Sequence, residues 1–511
     1  MKLPRLDSHQ GSLKARVVVR HEDYSVGQTT GGLSVLFSTL CIVDLFGVFP
    51  VVALPKPVIS CGVYGAPLVI GVFGLQLYTA VLLGRSWLLA QEISPLIKQK
   101  IRFPYAAVAE LAFGQRTRQL VTFLLDATVF GAGVPNFIFA SQSLQLFWWK
   151  ITGGGVGISY CVWMLVLGLL LCPVMWLGSP KDMKPLAVLS VVIVITVATS
   201  CWSCILLDDV TPPAPTMMDY QPSAQDFLVA YGIIAFQFDI HPMLLTIQVD
   251  MKDSRRVHWA ALGGFLFTGA LFAVTTLLAA ARYGNHVESN LLQGIPPSVP
   301  LYVVALLVTL QLCLSSAVGN SALFQHIEDL LKIPREFCLQ RCLVRSSIVA
   351  LAVFLGESVP RFDLVMGLVG STLTGPLMFI FPPLFFLRLC YMKSNMIKHN
   401  LKIENGANGI QNGHRNGDSS PLNWRSVRNT YSTFSNDFID NYVEKGPIDQ
   451  YSIKWYDVML AVIVMLMGVA ATIVATYSSW SDTITSATFT PPCLSNMTAA
   501  ARSFLEVTRP M

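Results

Sequence analysis

Long apolar runs separated by short polar stretches recur along this chain and predict its architecture. Windows of about twenty residues, the length a helix needs to cross the hydrocarbon core, predict eleven spans. They lie near residues 31–54, 66–90, 118–147, 158–178, 186–207, 226–248, 257–281, 299–324, 342–357, 362–388 and 454–478. Two of these runs are interrupted. Asp226 to Met251, DFLVAYGIIAFQFDIHPMLLTIQVDM, carries Gln237, Asp239, His241 and Pro242 between apolar flanks. The first span carries Asp44 and Gly47 ahead of Pro50, and Pro55 closes its apolar run. A charge at mid-bilayer costs roughly 2.5–3.5 kcal/mol even on the milder insertion scales, so such groups face a cavity or a partner. Proline removes a backbone donor and frees carbonyls that must be satisfied elsewhere.

An acid and a helix breaker thus recur in spans one and six. Interruptions in corresponding members of two five-helix halves predict an inverted repeat, with spans one to five and six to ten as its halves and span eleven added. The predicted fold is an all-α polytopic membrane protein with helices one and six broken. Residues 1–30 form a cytosolic tail, 31–392 a ten-helix core and 393–453 a disordered cytosolic linker rich in Asn, Gly and Ser without apolar period. Residues 454–478 form the eleventh helix and 479–511 a lumenal or extracellular tail.

Composition agrees with this pattern. Of 511 residues, 53% are hydrophobic and 13% charged, against about 25% charged in soluble domains. The net charge of +5 is too small to suggest nucleic acid as a partner; the bilayer is the expected one. With the N-terminus inside, 28 Lys and Arg fall on the cytosolic side and six outside, the asymmetry that orients membrane proteins. The sequon Asn496-Met497-Thr498 then lies on the side where glycosylation occurs. Cys61 and Cys493 share that side and could pair, whereas Cys201 and Cys204, inside span five, read as packing residues. Gly153-Gly154-Gly155 lacks the Gly-Lys-Ser/Thr of a phosphate loop. With no metal spacing or nucleophile triad, neither a cofactor nor an enzyme is expected.

Lesser signals accompany the two breaks. Arg102 to Arg118 has helical spacing and suits either a helix on the inner membrane surface or an ordinary loop helix. Span three carries Asp126 and Asn136; span eight carries Ser315, Ser316 and Asn320, whose oxygens serve either a small cation or close helix packing.

Several stretches together resemble the amino acid/auxin permease family, a branch of the amino acid–polyamine–organocation transporters. They are YAAVAELAFG and FIFASQSLQL within Phe103–Leu146, TIQVDMK at Thr246–Lys252, and FDLVMGLVGSTLTGP at Phe362–Pro376. Vesicular inhibitory and proton-coupled amino acid transporters are similar. The resemblance covers about residues 31–390 and implies an eleven-helix fold with helices one and six unwound at mid-membrane. It implies symport of amino acids or related small molecules, coupled to protons or sodium. In that family the first break is a Gly-x-Gly whose amides receive the substrate carboxylate. Here the matching positions are Val48, Phe49 and Pro50, and Asp44 replaces an Asn. Pro50 cannot donate, which puts that cradle in doubt.

The expected function is secondary-active transport of an amino acid or amine-bearing relative, coupled to protons, by alternating access. Asp239 and His241 form the polar centre of helix six, with Asp44 opposing them from helix one. Gly47, Val48, Phe49, Phe236 and Phe238 shape the substrate site, while Asp44, Asp239, His241, Ser315 and Ser316 are the ion-coupling candidates. A plasma membrane or a vesicular or lysosomal membrane suits the chain. The competing class is a non-transporting sensor or interaction protein on the same fold.

Overall fold

Apolar spacing and helix-stop residues turn the predicted spans into helices whose ends are set by a few side chains. A computed structural model describes residues 32–99, 103–152, 158–176, 183–209, 221–334, 337–411 and 455–486. The tail 1–30, Gly153-Gly154-Gly155, Cys493 and Asn496 lie outside the described residues. Span one is built from α1 (Val35–Phe46), α2 (Phe49–Val52) and α3 (Pro55–Ser60), and span two is α4 (Gly65–Ile93). Then come α5 (Pro104–Phe113), α6 (Gln115–Ile151), α7 (Tyr160–Trp176) and α8 (Met183–Leu206). Span six is split into α9 (Ala224–Gln237) and α10 (His241–Asp250), followed by α11 (Val257–Tyr283) and a short α12 (Leu291–Gly294). Next are α13 (Val299–Leu330), α14 (Leu339–Ser358), α15 (Phe362–Val369), α16 (Phe381–Gln411) and α17 (Trp455–Ser486).

Nine helices among the described residues are long and apolar enough to cross a membrane, and two shorter apolar helices, Val35–Phe46 and Tyr160–Trp176, occupy predicted spans one and four. The described residues hold no named strand, only an isolated bridge between Leu33 and Met251. Ser34 caps α1 by accepting from the Phe37 N–H at 3.3 Å. Ser223 and Asp226 form a reciprocal capping box on α9, and prolines occupy the first turns of α2, α3, α5, α10 and α13, where a missing N–H costs nothing.

Helices α6 and α13 pack along each other, α1 packs on α11, and α16 packs on α4. Small residues permit the closest approaches, as expected where lipid removes most of the hydrophobic drive between helices. Large apolar side chains such as Leu169, Leu277 and Tyr477 remain exposed on the outer faces, where lipid would meet them.

Three features depart from the sequence reading. Span ten is interrupted by π-helical turns at Gly370–Thr374 and Pro376–Ile380, where Gly375 and Pro376 disturb the ladder. Its continuation α16 runs to Gln411, so the first part of 393–453 is helical rather than linker. Composition averaged over that segment hides the helix-forming run from Met392 to Glu404. Helix α5 does not lie along a surface: Tyr105 to Ala109 are buried, and the Tyr105 hydroxyl donates to the Leu377 carbonyl at 2.5 Å.

Candidate functional site

Span one stops at Gly47 for a conformational reason. Its backbone sits at φ 60° and ψ −148°, a region open mainly to glycine, and an added Cβ would meet Gln311 Nε2 at 2.8 Å. The Gly47 N–H closes α1 on the Val43 carbonyl at 3.0 Å, and α2 restarts at Phe49 with Pro50 in its first turn. Span six stops at Gln237 and restarts at His241-Pro242, leaving Phe238 to Ile240 as the break. Freed carbonyls at both breaks are met by glutamines. Gln237 Nε2 donates to Phe46 O at 2.5 Å, and Gln76 Nε2 donates to Ala235 O at 3.1 Å.

Between the two breaks, α6, α13 and the π-helical turn of span ten lies a cavity of about 150 Å³. Gly47, Phe49, Phe236, Asp239, Ser315 and Ser316 line it, six of the residues singled out from sequence. Asn136, Gln311, Asn320 and Thr374 add polar atoms. Asp239 is the one ionisable side chain among the described lining residues. Its Oδ1 accepts from the backbone N–H of His241 at 3.0 Å and faces His241 Nδ1 at 3.2 Å. His241 is fully buried behind the wall, with Nε2 3.0 Å from the Thr79 hydroxyl. Asn136 Nδ2 donates to Ser316 Oγ at 3.2 Å, and Asn320 Nδ2 donates to the Ser316 carbonyl at 2.9 Å.

The remaining candidates stand outside the wall. Val48 is buried in the apolar core. Phe238 belongs to an aromatic cluster, with ring centroids 5.0 Å from Phe46 and 4.1 Å from Phe73. Asp44 faces Ser190 of α8. Gln311 Nε2 lies 3.4 Å from the same Ser190 Oγ, so Asp44 reaches the cavity only through two intermediates. Asp126 pairs with His326 at 2.5 Å, six residues beyond Asn320 along the chain. Cys61 is a free thiol, so it does not pair with Cys493, whereas Cys161 is disulfide-bonded. No cluster of three His, Cys, Asp or Glu that could hold a metal occurs among the described residues.

Gln311 and Thr374 were not singled out from sequence. A lone glutamine or threonine in an apolar helix reads like any packing residue.

A broken-helix membrane protein with a polar cavity at its two breaks defines a transporter-like class. The chain belongs to the transmembrane amino acid transporter protein family, whose profile matches residues 34–404. It is 25% identical over 348 residues to amino acid transporter AVT1D of Arabidopsis thaliana, covering 66% of this chain and 60% of that one. It is 27% identical over 172 residues to sodium-coupled neutral amino acid transporter 4 of Pongo abelii, covering 32% and 31%. Vacuolar amino acid transporter 3 of Schizosaccharomyces pombe is 26% identical over 187 residues, covering 35% and 28%. The chain thus spans 60% or less of the length of these relatives. A crystal structure of MhsT in complex with L-phenylalanine superposes with a TM-score of 0.49 at 11% identity, covering 87% of this chain and 98% of that one.

Proposed function

We propose that this protein carries small amino acids across a membrane by alternating access, coupled to protons held on the Asp239–His241 pair. One observation carries the reading: the only ionisable side chain described in the cavity wall is bonded to a buried imidazole that the cavity does not touch. A carboxylate facing an imidazole nitrogen stores one proton in either of two places, so the pair can take up and release it without an unpaired buried charge.

A cavity of about 150 Å³ is the size that holds benzene in an engineered protein core. A substrate of about six or seven non-hydrogen atoms, such as alanine or serine, suits that space. Spans one to five and six to ten form the two repeats in this reading, and the broken helices rock against the remainder. The Lys and Arg distribution supports a cytosolic N-terminus in this reading. The disulfide at Cys161, at the start of span four, supports an oxidising compartment on that outer side.

The test is uptake of labelled alanine and serine into proteoliposomes under an inward proton gradient or an inward sodium gradient. Uptake raised by protons, and lost in Asp239→Asn and His241→Gln, supports the reading. Uptake raised by sodium alone would move the coupling to oxygen donors such as Ser315 and Ser316. Alanine binding without flux under any gradient would assign the fold to a sensor.

A further inference from the structure

The two carboxylate oxygens of Asp239 have unequal surroundings. Oδ1 takes the backbone N–H and faces the ring of His241, whereas Oδ2 has no hydrogen-bond partner although the side chain is only 5% exposed. A desolvated carboxylate oxygen left without a donor is costly, and the cost is removed when a donor arrives with a ligand.

Thr374 is in the same condition. It is fully buried, lines the same cavity, and its hydroxyl has no partner. Its hydroxyl faces the Asp239 carboxylate, although no hydrogen bond of ordinary geometry joins the two. Thr374 ends the first π-helical turn of span ten, and that turn packs on α9. Gly370 lets the two segments approach: a Cβ there would stand 2.0 Å from the Gly232 carbonyl oxygen. The other charged or titratable groups acting on Asp239 are His241 and, from α5, Tyr105.

We infer that Asp239 Oδ2 and Thr374 Oγ1 form an ammonium subsite that selects substrates with a primary amine. This rests on the amino acid reading and extends it. An ammonium group has three donors; one meets each oxygen, and its charge faces the single carboxylate of the wall. Oδ1 then serves the proton and Oδ2 the substrate, so one side chain senses both. No described lining residue is cationic, so a substrate carboxylate is met by neutral donors, such as the second amide N–H of Asn136 or Asn320. The class is therefore small zwitterions and small primary amines. N-methylation removes donors and adds bulk, and a deaminated acid places its charge opposite Asp239 without compensation.

The experiment uses the full chain, with alanine binding measured in detergent and alanine uptake in proteoliposomes, each competed by N-methylalanine and propionate. In the unsubstituted protein, alanine outcompetes N-methylalanine and propionate does not compete. Thr374→Val raises the alanine KM and Kd by roughly three- to tenfold, the effect of one lost hydrogen bond. It also narrows the gap between alanine and N-methylalanine, and Thr374→Ser restores both readouts. Unchanged affinity and unchanged discrimination in Thr374→Val overturn the subsite while leaving transport intact. Binding without uptake in the unsubstituted protein overturns transport while leaving the subsite. Neither binding nor uptake overturns both.

Discussion

Gln237 Nε2 lies 2.5 Å from the carbonyl oxygen of Phe46, so the last residue of α9 satisfies the last carbonyl of α1. The two interrupted spans are thereby tied together at their breaks. Gln237→Leu leaves that buried carbonyl without its donor, at a cost of about 1–3 kcal/mol. The expected outcome is a lower thermal midpoint in detergent and a larger fractional loss of uptake than of folded protein. A glutamine serving only as filler would leave both unchanged.

Thr79 has one hydroxyl proton and three neighbours that compete for it. Its oxygen lies 3.0 Å from the Leu75 carbonyl, 3.1 Å from the Gln76 carbonyl and 3.0 Å from His241 Nε2. When the proton goes to a carbonyl, the hydroxyl oxygen accepts from Nε2–H, which supports the doubly protonated ring. Thr79→Val removes that acceptor and leaves the buried ring one partner short. Proton-driven uptake should fall by roughly two- to tenfold, the effect of one lost hydrogen bond of about 0.5–1.5 kcal/mol. Thr79→Ser should keep the original rate. Initial uptake rates of the three proteins under the same inward proton gradient decide the matter.

Gly370 and Gly71 make a matched pair of substitutions. At Gly370 a Cβ would meet the Gly232 carbonyl oxygen at 2.0 Å and Phe236 Cβ at 2.8 Å, whereas at Gly71 nothing lies within 4 Å. Gly370→Ala must push span ten away from α9, costing about 1–3 kcal/mol or more and drawing Thr374 from the cavity. Gly71→Ala should be near neutral. Thermal midpoint and alanine Kd should fall and rise, respectively, in the first variant only.

Arg345 is buried against Glu328, with Nε 2.5 Å from Oε1, while its guanidinium also donates to the Met175 carbonyl. Arg341 Nε approaches the same carboxylate oxygen at 3.3 Å. Glu328→Gln strands the buried Arg345 charge and should cost about 3–5 kcal/mol, whereas Arg345→Met leaves Glu328 its Arg341 partner and should cost less. The double variant should lose less than the sum of the two. A cycle of unfolding midpoints measures that coupling.

Much of the fold was legible because it is governed locally. A run of about twenty apolar residues reads as a span wherever it packs, and Gly47, Pro50 and Pro242 break helices through their own backbone limits. The polar island at Gln237, Asp239 and His241 marked the site for the same reason. The wall of the cavity was a different matter. Successive residues of a helix differ by about 100° in direction, so Asp44 turned to Ser190, Phe238 to its aromatic neighbours and His241 behind Asp239, according to what packs on each face. Gln311 and Thr374 come from helices distant in sequence and carry no local mark of a site. The chain alone therefore determined where helices span and break. Tertiary packing decided their rotation, and with it which polar atoms were left facing the cavity without a partner.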